Sequence, residues 1–132
     1  MATEQRKKVL IVDDDELMRS VLKHHLVLGG YDVLVASNGK DAMDRVREAA
    51  PDLIVVDLVM PDMNGFEMCR QIRRNEQTKN TQVIVISGLH GQADIEGARL
   101  SGANVCLSKP VNAEEFMNHV KTFLGSRFKH TP

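Results

Sequence analysis

Four short stretches of this 132-residue chain carry residue types that suit one chemistry. Asp13, Asp14 and Asp15 stand in a row, Asp57 follows the apolar run 53–56, Ser87 follows the run 83–86, and Lys109 precedes Pro110. Carboxylates crowded together repel unless a cation joins them. A hard divalent ion such as Mg2+ takes oxygen ligands, keeps several waters, and binds through one or two carboxylates plus a phosphate. Beside it, a lysine supplies fixed positive charge and a serine hydroxyl donates to anionic oxygens. That set suits phosphoryl transfer, where positioning and charge neutralisation do most of the catalysis. No packing need brings Asp13, Asp14, Asp57 and Lys109 together, because clustered charge is costly to desolvate.

These residues meet only if the elements before them lie side by side. Apolar runs rich in β-branched residues recur at 8–12, 32–36, 52–56, 82–86 and 104–107. They are continuous rather than alternating, which marks strands buried on both faces of a parallel sheet. Helical spacing falls between them. From Glu16 the sets Leu17, Val21, Leu28 and Met18, Leu22, Leu26 recur, and Ala42, Met43, Val46 and Ala49 repeat the pattern more weakly. Phe66, Cys69 and Ile72 mark a third helix ending in Arg73 and Arg74, which suit a helix C-terminus. Ile95 and Ala98 mark a fourth, closed by Gly102. Ala113, Phe116, Met117, Val120, Phe123 and Leu124 form a fifth, with Asn112 and Glu115 as cap and capping partner.

Strand and helix therefore alternate five times, which predicts an α/β fold with helices on both faces of a parallel sheet. Ligands of such sheets bind beyond the carboxyl ends of the strands. Asp13–Asp15, Asp57, Ser87 and Lys109 all fall there, whereas Ser37, Asn38 and Gly39 after the second strand read as a helix cap. Asp15 reads as an N-cap, and Asp62 and Asn64 as shaping the turn before the third helix, with Gly65 allowing its backbone angles. His24 and His25 are adjacent, so they point to different sides of a helix and make a poor ligand pair.

Composition narrows the function class. Apolar residues make up 42%, enough for a core, and one domain fills this length. Lys and Arg total 17 against 18 Asp and Glu, so no basic excess points to a nucleic-acid or anionic-membrane surface. No apolar run approaches the roughly 18 residues of a membrane span, and no signal-peptide pattern opens the chain. Cys69 and Cys106 lack metal spacing and read as two thiols in a reducing cytoplasm. The expected location is cytoplasmic. Residues 1–6 and 125–132 read as flexible termini, the latter also fitting the start of a severed linker.

Taken in order, Val-Leu-Ile-Val-Asp13-Asp14-Asp15, Asp57-Leu-Val-Met-Pro61-Asp-Met-Asn-Gly65, Val-Ile-Val-Ile-Ser87-Gly and Lys109-Pro110 resemble the receiver domain of bacterial two-component response regulators, in the manner of a stand-alone chemotaxis regulator. The resemblance spans about residues 7–124. It implies a three-layer, doubly wound (βα)5 flavodoxin-like fold with strand order 2-1-3-4-5. It implies Asp57 as phosphoacceptor, taking the group from a histidine kinase or a histidine phosphotransfer protein. Asp14 would bind Mg2+ (or Mn2+) directly and Asp13 directly or through water, with Asp57 and the backbone carbonyl of Val59 completing the protein ligands. Lys109 would pair with the phosphoryl oxygens, and Ser87 would move to hydrogen-bond them. The Lys109–Pro110 bond would be cis. Ser87, Cys106, Lys109 and Pro110 would form the switch to a surface made by the fourth helix, fifth strand and fifth helix.

Two features depart from the common pattern of that family. Cys106 stands where many receivers carry an aromatic residue whose ring turns inward, so a small apolar filler replaces it. Val59 and Gly88, with Leu89, offer no side chain to orient a water, which implies slow hydrolysis of the acyl phosphate, and Gly88 leaves the site open to a bulky donor. The expected protein is thus no turnover enzyme, although it assists its own Mg2+-dependent phosphorylation and dephosphorylation. Its partners would be the phosphodonor and a downstream protein, with no direct contact to nucleic acid or membrane, as a monomer or a phosphorylation-dependent dimer. Three alternatives remain. One is the receiver of a longer regulator with a DNA-binding or enzymatic output domain, and another is a receiver-shaped scaffold that is never phosphorylated. The third, a haloacid-dehalogenase-like phosphatase with Asp13 as nucleophile, lacks both a second acidic motif after the fourth strand and room for a substrate-covering cap.

Overall fold

The computed structural model describes residues 5–88 and 92–128. Five strands, β1 (Lys8–Val12), β2 (Asp32–Ala36), β3 (Leu53–Asp57), β4 (Gln82–Ser87) and β5 (Val105–Ser108), alternate with α1 (Glu16–Leu28), α2 (Gly39–Ala49), α3 (Gly65–Arg74), α4 (Gln92–Ser101) and α5 (Ala113–Leu124). All strands pair in parallel in the order β2-β1-β3-β4-β5. This is the doubly wound flavodoxin-like arrangement expected from the sequence. The order reverses between β1 and β3, which opens a crevice above their carboxyl ends.

Side chains along each central strand alternate between two cores. Leu10, Val12, Ile54, Val56, Val83 and Val85 face one layer, where Ala42 and Val46 of α2, Met68 and Ile72 of α3, and Ala98 of α4 cover them. Val9, Ile11, Leu53, Val55, Ile84 and Ile86 face the other, under Leu22 and Leu26 of α1 and Phe116 and Val120 of α5. Burial on both faces is why these strands read as unbroken apolar runs. Cys69 lies within the first core and half-buried Cys106 packs against it, both as free thiols. Burial pushes the Cys69 thiol up to about 11, so it stays protonated.

β1 and β2 end where the sequence pattern puts them, but β3, β4 and β5 each end one residue later. Asp57 pairs with Ile86 and Ser87 with Ser108, so two candidate site residues are the last rungs of the ladder rather than the first residues beyond it. A polar residue closing a strand leaves no mark in the apolar pattern. On α1 the set Met18, Leu22, Leu26 faces the core, whereas Leu17 and Leu28 are 73% and 72% exposed. Both sets have helical spacing, and only the sheet decides which one is covered.

At the opposite end of the sheet, side chains close the helices. The Lys8 ammonium donates to the Ala49 carbonyl at the end of α2, and that of Lys7 to Leu124 at the end of α5, where positive charge suits the helix dipole. Arg6 and Phe128 form an isolated antiparallel bridge, with the Lys7 amide donating to the Arg127 carbonyl at 2.7 Å. Residues 1–4 and 129–132 of the ends read as flexible lie outside the described residues.

Arg73 does not serve its own helix end. Its guanidinium donates to the carbonyls of Gly102 (2.9 Å), Lys79 (3.2 Å) and Thr81 (2.5 Å) and to the Asn104 carboxamide (3.1 Å). It thereby ties α3 to the segments entering β4 and β5, at a turn where Gly102 adopts φ +105° and a Cβ would meet the Arg73 stem at 2.6 Å. Removing it strands two part-buried acceptors, the Gly102 and Thr81 carbonyls. Arg73→Ala is expected to cost about 2 kcal/mol in urea unfolding, and Arg74→Ala, which loses one exposed ion pair, less than about 0.5 kcal/mol.

Candidate functional site

Three strand ends build the site. Asp57 closes the central strand β3 with its side chain only 6% exposed. Each of its oxygens has a donor: the Val59 amide reaches Oδ1 at 3.1 Å and the Lys109 ammonium reaches Oδ2 at 3.0 Å. Lys109 arrives from the end of β5, where its own amide donates to the Ser87 carbonyl at 2.8 Å. The Lys109–Pro110 peptide that follows is cis, as expected.

The β1 end supplies the other carboxylates, and the three consecutive aspartates do different things. Asp13 is buried and its Oδ1 accepts the Asp15 amide at 2.9 Å. Asp15 caps α1, accepting from the amides of Leu17 (2.9 Å) and Met18 (3.4 Å), in line with its reading as an N-cap. Asp14 is exposed, and among the described residues its carboxylate accepts no hydrogen bond. One carboxylate oxygen each from Asp13, Asp14 and Asp57 lies within 4.8 Å of the others.

Three negative charges and one positive charge thus share a pocket that is partly withdrawn from water. Burial raises the Asp13 carboxyl to about 6; the Asp57 charge adds to the rise, against the Asp15 amide and the Lys109 charge. For Lys109, burial works to lower the ammonium pKa, but the hydrogen bond and charge of Asp57, with the charges of Asp13 and Asp15, outweigh it and hold the value above normal. The site is short of positive charge and made of hard oxygen donors, which is what Mg2+ or Mn2+ would fit. Asp13, Asp14 and Asp57 could hold such an ion. Ser87 is buried at the end of β4, beside the strand carrying Asp57. Gly88 is exposed, and a Cβ there would touch the Lys109 stem at 3.7 Å, so nothing at that position screens the lysine. Leu89 lies outside the described residues.

The loop after Asp57 is pinned at two places. Gly65 opens α3 so close to β3 that a Cβ would sit 2.9 Å from the Leu58 Cα and 3.0 Å from the Asp57 carbonyl oxygen. Asn64, read from the sequence as a turn residue, also caps α3 through the Glu67 amide at 2.9 Å. Asp62 does something else: its two oxygens accept from the amides of Gly39 (2.9 Å) and Lys40 (3.1 Å), capping α2 from a distant loop. Those amides hold its carboxyl below the usual range. Local sequence cannot reveal a cap supplied from 22 residues away. Beside the rim, Asp15, Leu17, Val21, His25, Pro110 and Val111 line a largely apolar groove of about 220 Å³.

Comparison with known proteins gives a consistent picture. A family model described as response regulator receiver domain matches residues 9–121. The polar-differentiation response regulators DivK of Brucella anthropi and Brucella ovis are each 30% identical over 119 residues, covering 90% of this chain and 97% of theirs. The chemotaxis response regulator CheY4 of Vibrio cholerae superposes with a TM-score of 0.85 at 31% identity, over 91% of this chain and all of that one. A putative response regulator from Chloroflexus aurantiacus gives 0.88 at 27% identity, over 92% and 100%.

The crowding has a measurable cost without a metal. A folded pKa near 6, above the ordinary 3.8, means that the Asp13 contribution to stability is present below the lower value and lost as pH rises through the higher one. In EDTA at about pH 7.5, Asp13→Asn is therefore expected to raise the Tm by roughly 3–6 °C, since Asn still accepts the Asp15 amide. The gain should shrink toward about pH 5, where Asp13 is already largely protonated, which thermal melts across pH would reveal.

Proposed function

The chain belongs to the response regulator receiver domain family of two-component signalling, and on that premise we propose that it is switched by accepting a phosphoryl group on Asp57. The observation that carries this is the contact of the Lys109 ammonium with Asp57 Oδ2 at 3.0 Å, inside a cluster completed by Asp13 and Asp14. An Asp57 oxygen attacks phosphorus, the O–P bond forms, and the bond from phosphorus to the donor imidazole nitrogen breaks. Asp14, Asp13 and the Val59 carbonyl would hold a Mg2+ or Mn2+ ion together with Asp57, and that ion would supply neutralisation of the carboxylate and phosphoryl charge. Lys109 passes its charge from Asp57 to the phosphoryl oxygens, and the Ser87 hydroxyl moves to hydrogen-bond them.

The functional unit is residues 7–124, working in the cytoplasm. Among the described residues no helix is long and apolar enough to cross a membrane. The phosphoryl group stays on the protein, so this is a switch and not a turnover enzyme. The donor is a histidine kinase or a histidine phosphotransfer protein. The exposed Leu17 and the apolar groove at the rim favour a protein donor over a small molecule, because they offer it a dry surface beside the acceptor. The output is a protein partner bound at the α4–β5–α5 face, where Ile95 and Leu100 are exposed and Cys106 is half-buried. With a thiol at that position, Ser87, Lys109 and Pro110 transmit the change without an aromatic ring.

Intact mass after incubation with acetyl phosphate and Mg2+ is expected to show one labile phosphoryl group. It should be absent from Asp57→Asn and from an EDTA control. No gain under any condition would favour a constitutive scaffold or strict dependence on the kinase, and Mg2+-dependent NMR shifts near Asp57 separate the two. Since Val59 is 61% exposed and apolar, no side chain there orients an attacking water. Val59→Asn is expected to speed loss of the phosphoryl group several-fold, and an unchanged decay rate would count against intrinsically slow hydrolysis.

A further inference from the structure

Asp14 is the odd member of the acidic cluster. Asp13 is fixed by burial and by the Asp15 amide, and Asp57 by the ladder, Val59 and Lys109. The Asp14 carboxylate, exposed and without a hydrogen bond among the described residues, can be placed only through its backbone. Two bonds bracket that backbone. On the C-terminal side the Asp15 amide is held by Asp13 Oδ1 at 2.9 Å. On the N-terminal side the Asp13 carbonyl is held by Arg19 Nη1 at 2.6 Å. Arg19 sits one helical turn after the Asp15 cap, its amide donating to the Asp15 carbonyl at 3.0 Å. Helical side chains lean toward the N-terminus, so its guanidinium reaches back over the turn.

We infer that Arg19 is the positioning residue for Asp14, clamping the peptide from which the exposed metal ligand hangs. This rests on the reading of the acidic cluster as a divalent-ion site. Two effects of Arg19 oppose each other and can be told apart. Its charge, held at the Asp13 carbonyl, would repel an incoming cation, so losing the charge alone would tighten Mg2+ binding. Its bond to the Asp13 carbonyl presents Asp14, so losing the bond weakens binding. Partners that orient metal ligands carry roughly 10–100-fold in affinity, more than a half-exposed charge contributes in water.

The test is a Mg2+ titration of the full chain followed by amide NMR shifts, with the rate of phosphorylation by acetyl phosphate measured against Mg2+ concentration. Arg19→Met keeps most of the aliphatic stem and removes the donors. It is expected to raise the half-saturating Mg2+ concentration roughly tenfold. The rate at saturating Mg2+ should stay close to that of the wild type, and Arg19→Lys should recover much of the affinity. A role confined to folding would instead lower the Tm and depress the rate at every Mg2+ concentration. Unchanged or tighter Mg2+ binding by Arg19→Met overturns the inference while leaving the ion site intact. Absence of Mg2+ binding by the wild type overturns the ion-site reading and the inference with it. If Arg19→Met does not fold, Arg19→Gln, too short to span the turn, carries the same expectation and the same overturning result.

Discussion

The mutual repulsion of three carboxylates is the constraint around which this molecule is arranged. One oxygen each of Asp13, Asp14 and Asp57 lies within 4.8 Å of the others, and among the described residues the Lys109 ammonium stands against them. Nothing about folding a 132-residue α/β domain requires this. It persists because the groups converge from three separate strand ends, each anchored by a sheet whose two faces are covered by core. The sheet holds together a shortage of positive charge that a divalent cation would relieve.

The deficit is managed by backbone donors as much as by charge. Val59 serves one oxygen of Asp57, Asp15 serves Asp13, and the helix termini next to the site are capped by Asp15 and Asn64. Asp62 and Gly65 lock the intervening loop, the first to α2 and the second to the backbone of β3. A loop held at both points keeps the Val59 amide on Asp57 without side-chain support from Val59 itself.

Much of this was legible in the sequence, for a physical reason in each case. Continuous apolar runs marked strands buried on both faces, and acidic or basic residues at their ends marked one rim, so Asp13, Asp57, Ser87 and Lys109 could be placed before any coordinates. Caps that act within a few residues, such as Asp15, Asn38 and Asn112, could be recognised from local order. What escaped were interactions between distant segments. Asp62 looked like a turn residue and caps another helix; Arg73 looked like a dipole partner and ties together two later segments; Arg19 carried no signal at all. Helical spacing likewise could not choose between Leu17, Val21, Leu28 and Met18, Leu22, Leu26, since the sheet lies on only one side.

The pairing of Asp57 with Ile86 and of Ser87 with Ser108 has a consequence for how such a domain can diversify. Residues on the last rungs of a buried ladder inherit the slow, cooperative opening of the whole core, and substitutions beneath them are felt throughout the fold. Val59, Gly88, Leu17 and Val111 sit outside that ladder, on loops and helix surfaces where exchange of one side chain for another costs little. Asp57 and Ser87 are therefore held in place by the whole sheet, while the surface around them can exchange side chains with little effect on folding.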